Sequence, residues 1–255
     1  MSWIFFLLFS TVIAVEISQI TRAKACWTSL NCCYPVAIPS TSLSALVEND
    51  EGFNISSPYD DPVESAYYES NISKLPDVQA GGYDYTVTYY PDFSKVAELP
   101  FDTKIRLLKL HGAGYGVVVT SGSKVLLSDS GMWRTRVIDV TNVDLDTIAI
   151  TTTTPPYPGL VTSNCPVSPP EGAPHCGQGG DHVLARNAGA MQFAAGWDWA
   201  QGIPDRVTGL FDKVEIITAG EIRVEAGSLR TRSTIGLVDV VYRLVGEVER
   251  EGTAR

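Results

Sequence analysis

The residues of this sequence best suited to recognition chemistry lie in one run, Gly196-Trp197-Asp198-Trp199. Side chains alternate along an extended segment, so Trp197 and Trp199 share one face while Asp198 points to the other. Indole faces stack against the apolar C–H surface of a sugar ring, and a carboxylate accepts hydrogen bonds from neighbouring hydroxyl groups. The run therefore predicts a carbohydrate contact, with burial of both tryptophans in a core as the alternative.

Two further pairs of polar residues flank this run. Asp181 and His182 precede it in a Gly-Gly-Asp-His motif, and Asp205 and Arg206 follow it within residues 203–211. We expect Asp205 and Arg206 to join the substrate-binding residues or to support their loop. Asp181 and His182 are expected to support the loop. An internal ion pair or a turn is the alternative for Asp205 and Arg206.

A metal centre is the competing interpretation of the upstream cluster. His175, Cys176, Asp181 and His182 lie within eight positions, but their spacing matches no common zinc pattern. Cys165 and Cys176 bracket a Pro- and Gly-rich loop and could instead close it as a disulfide. A serine hydrolase is less favoured still, because the sequence has no Gly-x-Ser-x-Gly elbow. We therefore predict no catalytic residue, no metal and no cofactor.

The charge balance excludes another class of function. The 255 residues include 19 Lys and Arg against 29 Asp and Glu, which gives a formal net charge of −10. Such a chain repels nucleic-acid phosphates and anionic membranes, and no basic run overrides this repulsion. We expect no nucleic-acid partner.

Almost every periodic segment alternates with period two, the period of a β-strand. In the segment 83–89, for example, the tyrosines and the valine share one face. Further strands are predicted over 104–110, 116–120, 124–127, 135–140, 147–151 and 213–217. The one predicted helix is short, Thr41–Val47, with Ser40 as its cap. Many short strands, regular turns and almost no helix predict an all-β jelly-roll sandwich.

Two stretches interrupt this pattern. Residues 154–180 are rich in Pro, Gly and Ser, and loops of this length in compact domains are usually functional or disordered. After Thr218-Ala219-Gly220 a second strand-rich stretch runs to Arg255, and about 35 residues cannot bury a second sandwich core. We therefore expect the main β domain, a β-sandwich or jelly roll, to end near residue 217, followed over 218–255 by the first strands of a truncated immunoglobulin-like sandwich.

The first twenty residues predict export. Residues 4–15 form an apolar run of the length of a signal-peptide core, so we assign 1–20 to a signal peptide, with an uncleaved anchor as the alternative. Asn54 and Asn71 lie in glycosylation sequons, and five cysteines suit an oxidising compartment. We expect an extracellular or lysosome- or vacuole-like location, with no membrane contact beyond the signal segment.

The motifs, in this order, resemble the N-terminal sugar-binding (galactose-binding-like) domain of glycoside hydrolase family 2. Those that carry the resemblance are Gly-Gly-Asp-His, Gly-Trp-Asp-Trp and Pro-Asp-Arg-x-Thr-Gly-(aliphatic)-(aromatic). Upstream similarities extend it over 36–217. The most similar branch is that of the plant-type mannosylglycoprotein endo-β-mannosidases and the exo-β-glucosaminidases. Gly114 and Phe211 stand where that family has Asn and Trp.

The resemblance implies a jelly roll over 36–217 packed against a catalytic barrel, with Asp198 accepting sugar hydroxyl groups and Trp197 lining the pocket. It implies that Asp205 and Arg206 support the loop or face the barrel. Retaining glycosidases use two carboxylic side chains, and in this family both are glutamates on the barrel, one of them following an Asn. This sequence has no Asn-Glu pair and no room for a barrel of roughly 250 residues. We therefore expect the chain to bind β-mannoside or glucosamine-type sugars without hydrolysing them alone. A stand-alone secreted lectin and a non-functional truncated remnant are the alternatives.

Overall fold

The computed structural model describes residues 15–50, 53, 75–76, 83–96, 105–155, 160–161, 185–186, 203–220, 222–232 and 237–246. Most of these residues lie in strands. The strands are β1 (Val15–Ile20), β2 (Arg22–Trp27), β3 (Cys32–Ala37), β4 (Ser40–Thr41), β5 (Val87–Pro91), β6 (Ile105–Leu110), β7 (Gly116–Ser121), β8 (Lys124–Ser130), β9 (Arg136–Asp139), β10 (Ile148–Thr153), β11 (Leu160–Val161), β12 (Ala185–Arg186), β13 (Gly209–Leu210), β14 (Val214–Ala219), β15 (Ile222–Arg232) and β16 (Leu237–Gly246). The helices of the described ranges are α1 (Ser42–Asn49) and a 3-10 turn (Leu145–Thr147).

Ten of these strands form two antiparallel sheets. The first sheet has four strands in the order β1-β14-β6-β9, and the second has six in the order β3-β2-β5-β10-β7-β8. The chain passes repeatedly from one sheet to the other, so neighbours within a sheet are often far apart in sequence, as in double-sheet jelly rolls. The prediction of an all-β sandwich is confirmed.

The core lies between the two sheets, where the alternation predicted from the sequence places apolar side chains. Tyr85, Val87 and Tyr89 are fully buried while Thr86 and Thr88 between them are only partly buried. They belong to one core cluster that draws on both sheets. Each fully buried side chain of this size contributes roughly 1.5–3 kcal/mol relative to an exposed one, so period two alone accounts for much of the sandwich.

The sandwich begins earlier in the chain than the sequence indicates. Val15–Ile20 pairs with β14 over six residues, from Val15 opposite Ala219 to Ile20 opposite Val214, and Ile20 is buried in the core. These residues fall within the 1–20 range assigned to a signal peptide, and β2 and β3 precede the expected domain start at 36. The domain starts this early because β1 forms a six-residue ladder with β14 and is the outer strand of the four-stranded sheet.

Helix α1 starts two residues after the predicted cap and ends beyond the predicted boundary. Ser40 is one position too early to be the cap, because the residue directly before the first helical residue, Ser42, is Thr41. Thr41 caps instead: its hydroxyl accepts from the Ser44 backbone N–H, and the Ser44 hydroxyl accepts in return from the Thr41 N–H. This reciprocal capping satisfies two backbone donors at once. Leu43, with Leu46 one turn later, then faces the core.

The described cysteines form one disulfide that the sequence did not identify. Cys26 and Cys33 lie opposite each other on β2 and β3 and are bonded, whereas Cys32 is a free thiol. The predicted Cys165–Cys176 pair lies outside the described residues. The bond therefore joins two strands that already share a ladder.

After Gly220 the described chain forms a separate two-stranded sheet. Ile222–Arg232 and Leu237–Gly246 pair antiparallel, with one register shift between Val224 and Ala226. Strands were expected in this stretch, and its assignment to an immunoglobulin-like sandwich stays a prediction. In the part of the chain that the structure describes, no helix is long and apolar enough to cross a membrane.

Candidate functional site

Asp205 and Arg206 are the predicted site residues that the structure describes. The others lie outside the described residues; they are Trp197, Asp198, Trp199, Asp181, His182, Asn54, Asn71, Cys165 and Cys176. The described part of the candidate site is the loop that follows the Gly-Trp-Asp-Trp run, residues 203–213, together with the segments that this loop contacts.

The carboxylate of Asp205 joins this loop to the beginning of helix α1. Asp205 is fully buried. Its Oδ2 accepts a hydrogen bond from the Leu43 backbone N–H at 2.9 Å, and its Oδ1 accepts one from the Val207 N–H at 2.9 Å. The first N–H groups of a helix lack intrahelical partners and favour negative charge. Asp205 therefore supplies a helix-terminal partner from 162 positions away in the sequence.

The loop satisfies a second donor of the same helix end. The Thr208 carbonyl accepts from the Ser42 N–H at 2.6 Å, while Ser44 donates to the Thr41 hydroxyl. The first three N–H groups of α1 thus have partners, and two of those partners come from residues 205–208. Helix and loop hold each other in place.

Burial raises the pKa of Asp205 to about 6. Hydrogen bonds from the Leu43 and Val207 N–H groups and from the Thr41 side chain, together with the positive charge of Arg206, act in the opposite direction. Desolvation dominates because the carboxylate has no access to water. The side chain therefore titrates at a higher pH than an ordinary aspartate.

Asp205 also opens an unusual turn. Arg206 and Val207 both have positive φ, 51° and 62°, a conformation that costs non-glycine residues on the order of 1–3 kcal/mol each. The turn is closed by the Thr208 N–H and hydroxyl, which both donate to the Asp205 carbonyl, at 3.0 and 2.6 Å. Positive φ at both central positions is the pattern of a type I′ turn. The hydrogen bonds of Asp205 offset this strain.

Arg206 is 2% exposed and donates from Nη1 to the Ile203 carbonyl at 2.5 Å. Its side chain thus bonds within its own loop, as that of Asp205 does. These contacts support the loop-holding role that the sequence offered for the two residues, and substrate contact by either one stays a prediction.

Gly209 is the point at which three segments meet. It pairs with Thr41 in the β4–β13 ladder and exchanges two hydrogen bonds with Gly114, at 3.0 and 2.9 Å. Its φ is +137°, and a Cβ atom there would lie 2.7 Å from both the Ser40 carbonyl oxygen and the Thr41 Cα. Only glycine fits this position without displacing backbone.

The residue after β13, Phe211, rests on two glycines. A Cβ atom on Gly112 would lie 2.6 Å from Phe211 Cε2, and one on Gly114 would lie 3.2 Å from Cε1 and 3.0 Å from the Val207 oxygen. Gly114 and Phe211 are two positions that depart from the family pattern. They are in contact here, so glycine at 114 makes room for the ring at 211.

Arg136 is a buried residue that the sequence gave no reason to select. Its side chain is 2% exposed. Nη1 donates to the carbonyls of Ala113 (3.3 Å) and Arg134 (3.0 Å), and Nη2 to that of Gly131 (2.7 Å). Nε donates to Asp129 Oδ2 at 3.2 Å. This one guanidinium joins the β6–β7 loop to the β8–β9 loop beside residues 203–213.

Among the described residues, no group of three or more His, Cys, Asp or Glu side chains is placed to hold a metal ion. The arrangement provides one end of the sandwich at which the loops are held rigidly. Two loops fixed by Arg136 lie against a third loop fixed by Asp205, and the third follows the predicted sugar-contacting run directly.

Comparison with known proteins supports the family resemblance that the motifs indicate. No established family profile matches the chain. A curated relative, the mannosylglycoprotein endo-beta-mannosidase of Lilium longiflorum, is 29% identical over 194 residues, which cover 73% of this chain and 17% of that protein. The resemblance predicted from the motifs is confirmed by this relative.

Solved structures share the fold. A beta-D-mannosidase from Dictyoglomus thermophilum matches with a TM-score of 0.62 at 13% identity, over 91% of this chain and 26% of that one. An FMN-binding beta-glucuronidase from Facaelibacterium prausnitzii L2-6 matches with a TM-score of 0.50 at 10% identity, over 91% and 28%. The chain thus spans about a quarter or less of the length of these proteins.

The crowding at Gly209 predicts a large difference between two glycine variants. Gly209→Ala should lower the free energy of unfolding by at least about 3 kcal/mol, because strain at positive φ adds to backbone overlap. Gly122→Ala is the matched control, since its φ is +54° with no atom within 4 Å of an added Cβ, and should cost about 1 kcal/mol. Denaturant unfolding measures both, and equal losses would contradict the account of Gly209.

The buried carboxylate predicts a pH dependence of stability. The pKa of Asp205 is about 6 in the folded protein against the ordinary 3.8, so the folded protein binds this proton more tightly than the unfolded chain does. The stabilisation that comes from this proton is complete below pH 3.8 and is lost as the pH rises through 6. The unfolding free energy of the wild type minus that of Asp205→Asn should therefore increase from pH 7 to pH 4. Its slope should approach about 1.4 kcal/mol per pH unit.

Asp146→Asn is the control for this series, because Asp146 is exposed and the substitution removes the same formal charge. It is expected to follow the wild type across the range. A difference between wild type and Asp205→Asn that stays constant with pH, or falls in acid, would contradict the burial of an ionisable Asp205.

Proposed function

We propose that this chain is the N-terminal carbohydrate-binding portion of a family 2 glycoside hydrolase of the β-mannosidase or exo-β-glucosaminidase type. It contributes sugar contacts through Trp197, Asp198 and Trp199. The two glutamates that cleave the glycosidic bond in that family belong to a catalytic barrel, supplied by chain beyond these residues. Carbohydrate binding by this chain, and bond cleavage by the longer protein, are the two parts of the proposal.

The observation that carries the proposal is the loop that follows the Gly-Trp-Asp-Trp run. Asp205 lies seven positions after Asp198, and its carboxylate is committed to backbone donors of α1 and of its own turn. A binding residue is effective when its supporting residues are themselves fixed. The buried Asp205 turn is a fixed point of the chain seven positions after Asp198, whose carboxylate is proposed to accept sugar hydroxyl groups.

The relatives support the same assignment. The Lilium longiflorum protein is named for its action on mannosylglycoproteins, and the shared sandwich of the Dictyoglomus thermophilum beta-D-mannosidase is consistent with it. Both exceed this chain greatly in length, which is why the cleavage step is assigned to the longer protein. This favours the proposal over a stand-alone lectin or a truncated remnant.

The direct test is sugar binding by the full 255-residue chain. Calorimetric titration with β-1,4-mannotriose and with a glucosamine trimer should give measurable binding to at least one of them. Asp198→Ala should weaken it by about 10- to 100-fold, because a charge-assisted hydrogen bond contributes about 1.5–3 kcal/mol. Asp146→Ala, an exposed aspartate on the 3-10 turn, is the matched control and should bind as the wild type does.

If the wild type binds neither of the two sugars, the carbohydrate-binding part of the proposal is overturned. The same samples should release no aryl group from an aryl β-mannoside, because the chain carries no Asn-Glu pair. Release of the aryl group by the purified wild type would overturn the assignment of cleavage to a barrel outside these residues.

We further propose that the chain enters the secretory pathway. The Cys26–Cys33 disulfide supports an oxidising compartment, where such bonds persist. A tagged full-length chain expressed in a eukaryotic cell should carry glycans at Asn54 and Asn71, and peptide mapping should recover Cys26 linked to Cys33. Retention in the cytosol without glycans or disulfide would contradict the proposal.

A further inference from the structure

The loop between β8 and β9 carries the most exposed large apolar side chain among the described residues. Trp133 is 63% exposed, ahead of Ile17 at 58% and Val125 at 57%. The residue before it, Met132, is 3% exposed, and the residue after it is Arg134, whose side chain is 64% exposed. An indole in contact with water at the tip of a loop calls for a physical explanation, because burying it would stabilise the protein.

The backbone around Trp133 is held by hydrogen bonds from a buried side chain, that of Arg136. The buried Arg136 guanidinium donates to the carbonyl of Gly131 before the indole and to that of Arg134 after it. The Gly131 N–H in turn donates to the Tyr115 carbonyl at 2.9 Å. Since carbonyls on both sides of Trp133 are bonded to one buried cation, the backbone that carries the indole is fixed.

The indole is also fixed from the side. Its ring centroid lies 5.9 Å from that of Phe211, with an interplanar angle of 67°, the edge-to-face arrangement that aromatic pairs prefer. Phe211 is itself seated against Gly112 and Gly114. The result is an aromatic surface that is oriented before any ligand arrives, which lowers the ordering cost of binding.

The surroundings of the indole suit a small polar ligand better than a protein. The residues that follow the two rings in sequence are polar and exposed: Arg134, which pairs with Asp129, and Thr135 follow Trp133, and Asp212 follows Phe211. A standard protein interface buries about 800 Å² on each partner, from some 20–30 residues, whereas the exposed apolar surface here is one indole and part of one phenyl ring. A pyranose ring has a C–H face of indole size and hydroxyl groups at its rim.

We propose that Trp133 is a stacking platform for a pyranose ring, oriented by Phe211 and by the Arg136-bound loop. This inference rests on the proposed carbohydrate-binding function and adds a second aromatic contact to it. Trp133 lies 64 positions before Trp197, on the loop that Arg136 joins to the β6–β7 loop, so it is a contact separate in sequence from the Gly-Trp-Asp-Trp run.

The test titrates the full chain with β-1,4-mannotriose and with the glucosamine trimer, for the wild type and four variants. Trp133→Ala should weaken binding by about tenfold, the loss of a stacked ring face. Trp133→Phe, which keeps an aromatic face, should recover most of the affinity. Val137→Ala is the matched control, because Val137 is also exposed, at 49%, but lies on β9 outside the loop. Asp198→Ala reports on the proposed function.

The outcomes separate the two claims. Loss of binding in Asp198→Ala with unchanged binding in Trp133→Ala would overturn the platform and leave the proposed function standing. Equal losses in Trp133→Ala and Trp133→Phe at unchanged unfolding midpoints would also overturn it, because the aromatic face would not be the contact. Wild-type chain that binds neither sugar overturns both claims. Self-association of the wild type that Trp133→Ala abolishes would identify a second copy as the occupant and overturn the sugar platform.

Discussion

The carboxylate of Asp205 is the contact on which the loop end of this sandwich depends. It accepts from the Leu43 N–H at the start of α1 and from the Val207 N–H in its own turn. Without it, the buried Leu43 N–H would lack a partner, at a cost of about 1–3 kcal/mol, and the partly buried Val207 N–H would lose its partner as well. The left-handed conformations of Arg206 and Val207 would also lose the interaction that offsets their strain. The turn then delivers Gly209 to the crossing with Thr41 and Gly114.

The residues that follow this crossing lead to an aromatic pair, Phe211 and the exposed Trp133. Gly209 leads directly to Leu210, which is fully buried, and to Phe211. Phe211 rests on the glycines of the β6–β7 loop and orients Trp133. Arg136 fixes the backbone that carries Trp133. The buried carboxyl group of Asp205 and the buried guanidinium of Arg136 thus hold neighbouring loops in place, and a preformed surface lowers the ordering cost of the proposed sugar contact.

The sequence predicts the parts of this structure that follow from local pattern. Period-two alternation identified the strands around Tyr85 and Tyr89, and apolar residues at helical spacing identified α1. Contacts between distant residues carry no such signal: the partner of Asp205 is the backbone of Leu43, 162 positions away, and any residue has that N–H. Arg136 was likewise missed, because its partners are mostly carbonyl groups. The Cys26–Cys33 bond depends on the register of β2 and β3.

The proposed carbohydrate contact involves the loops held by Asp205 and Arg136, in a chain similar in sequence to a mannosylglycoprotein endo-beta-mannosidase. The most direct measurement is a two-dimensional amide and indole NMR titration of the 255-residue chain with β-1,4-mannotriose. The account predicts saturable shifts of indole N–H signals and of amides in residues 111–115, 131–135 and 203–213, with β2 and β3 unchanged. Shifts confined to strands away from these loops, or none at all, would contradict it.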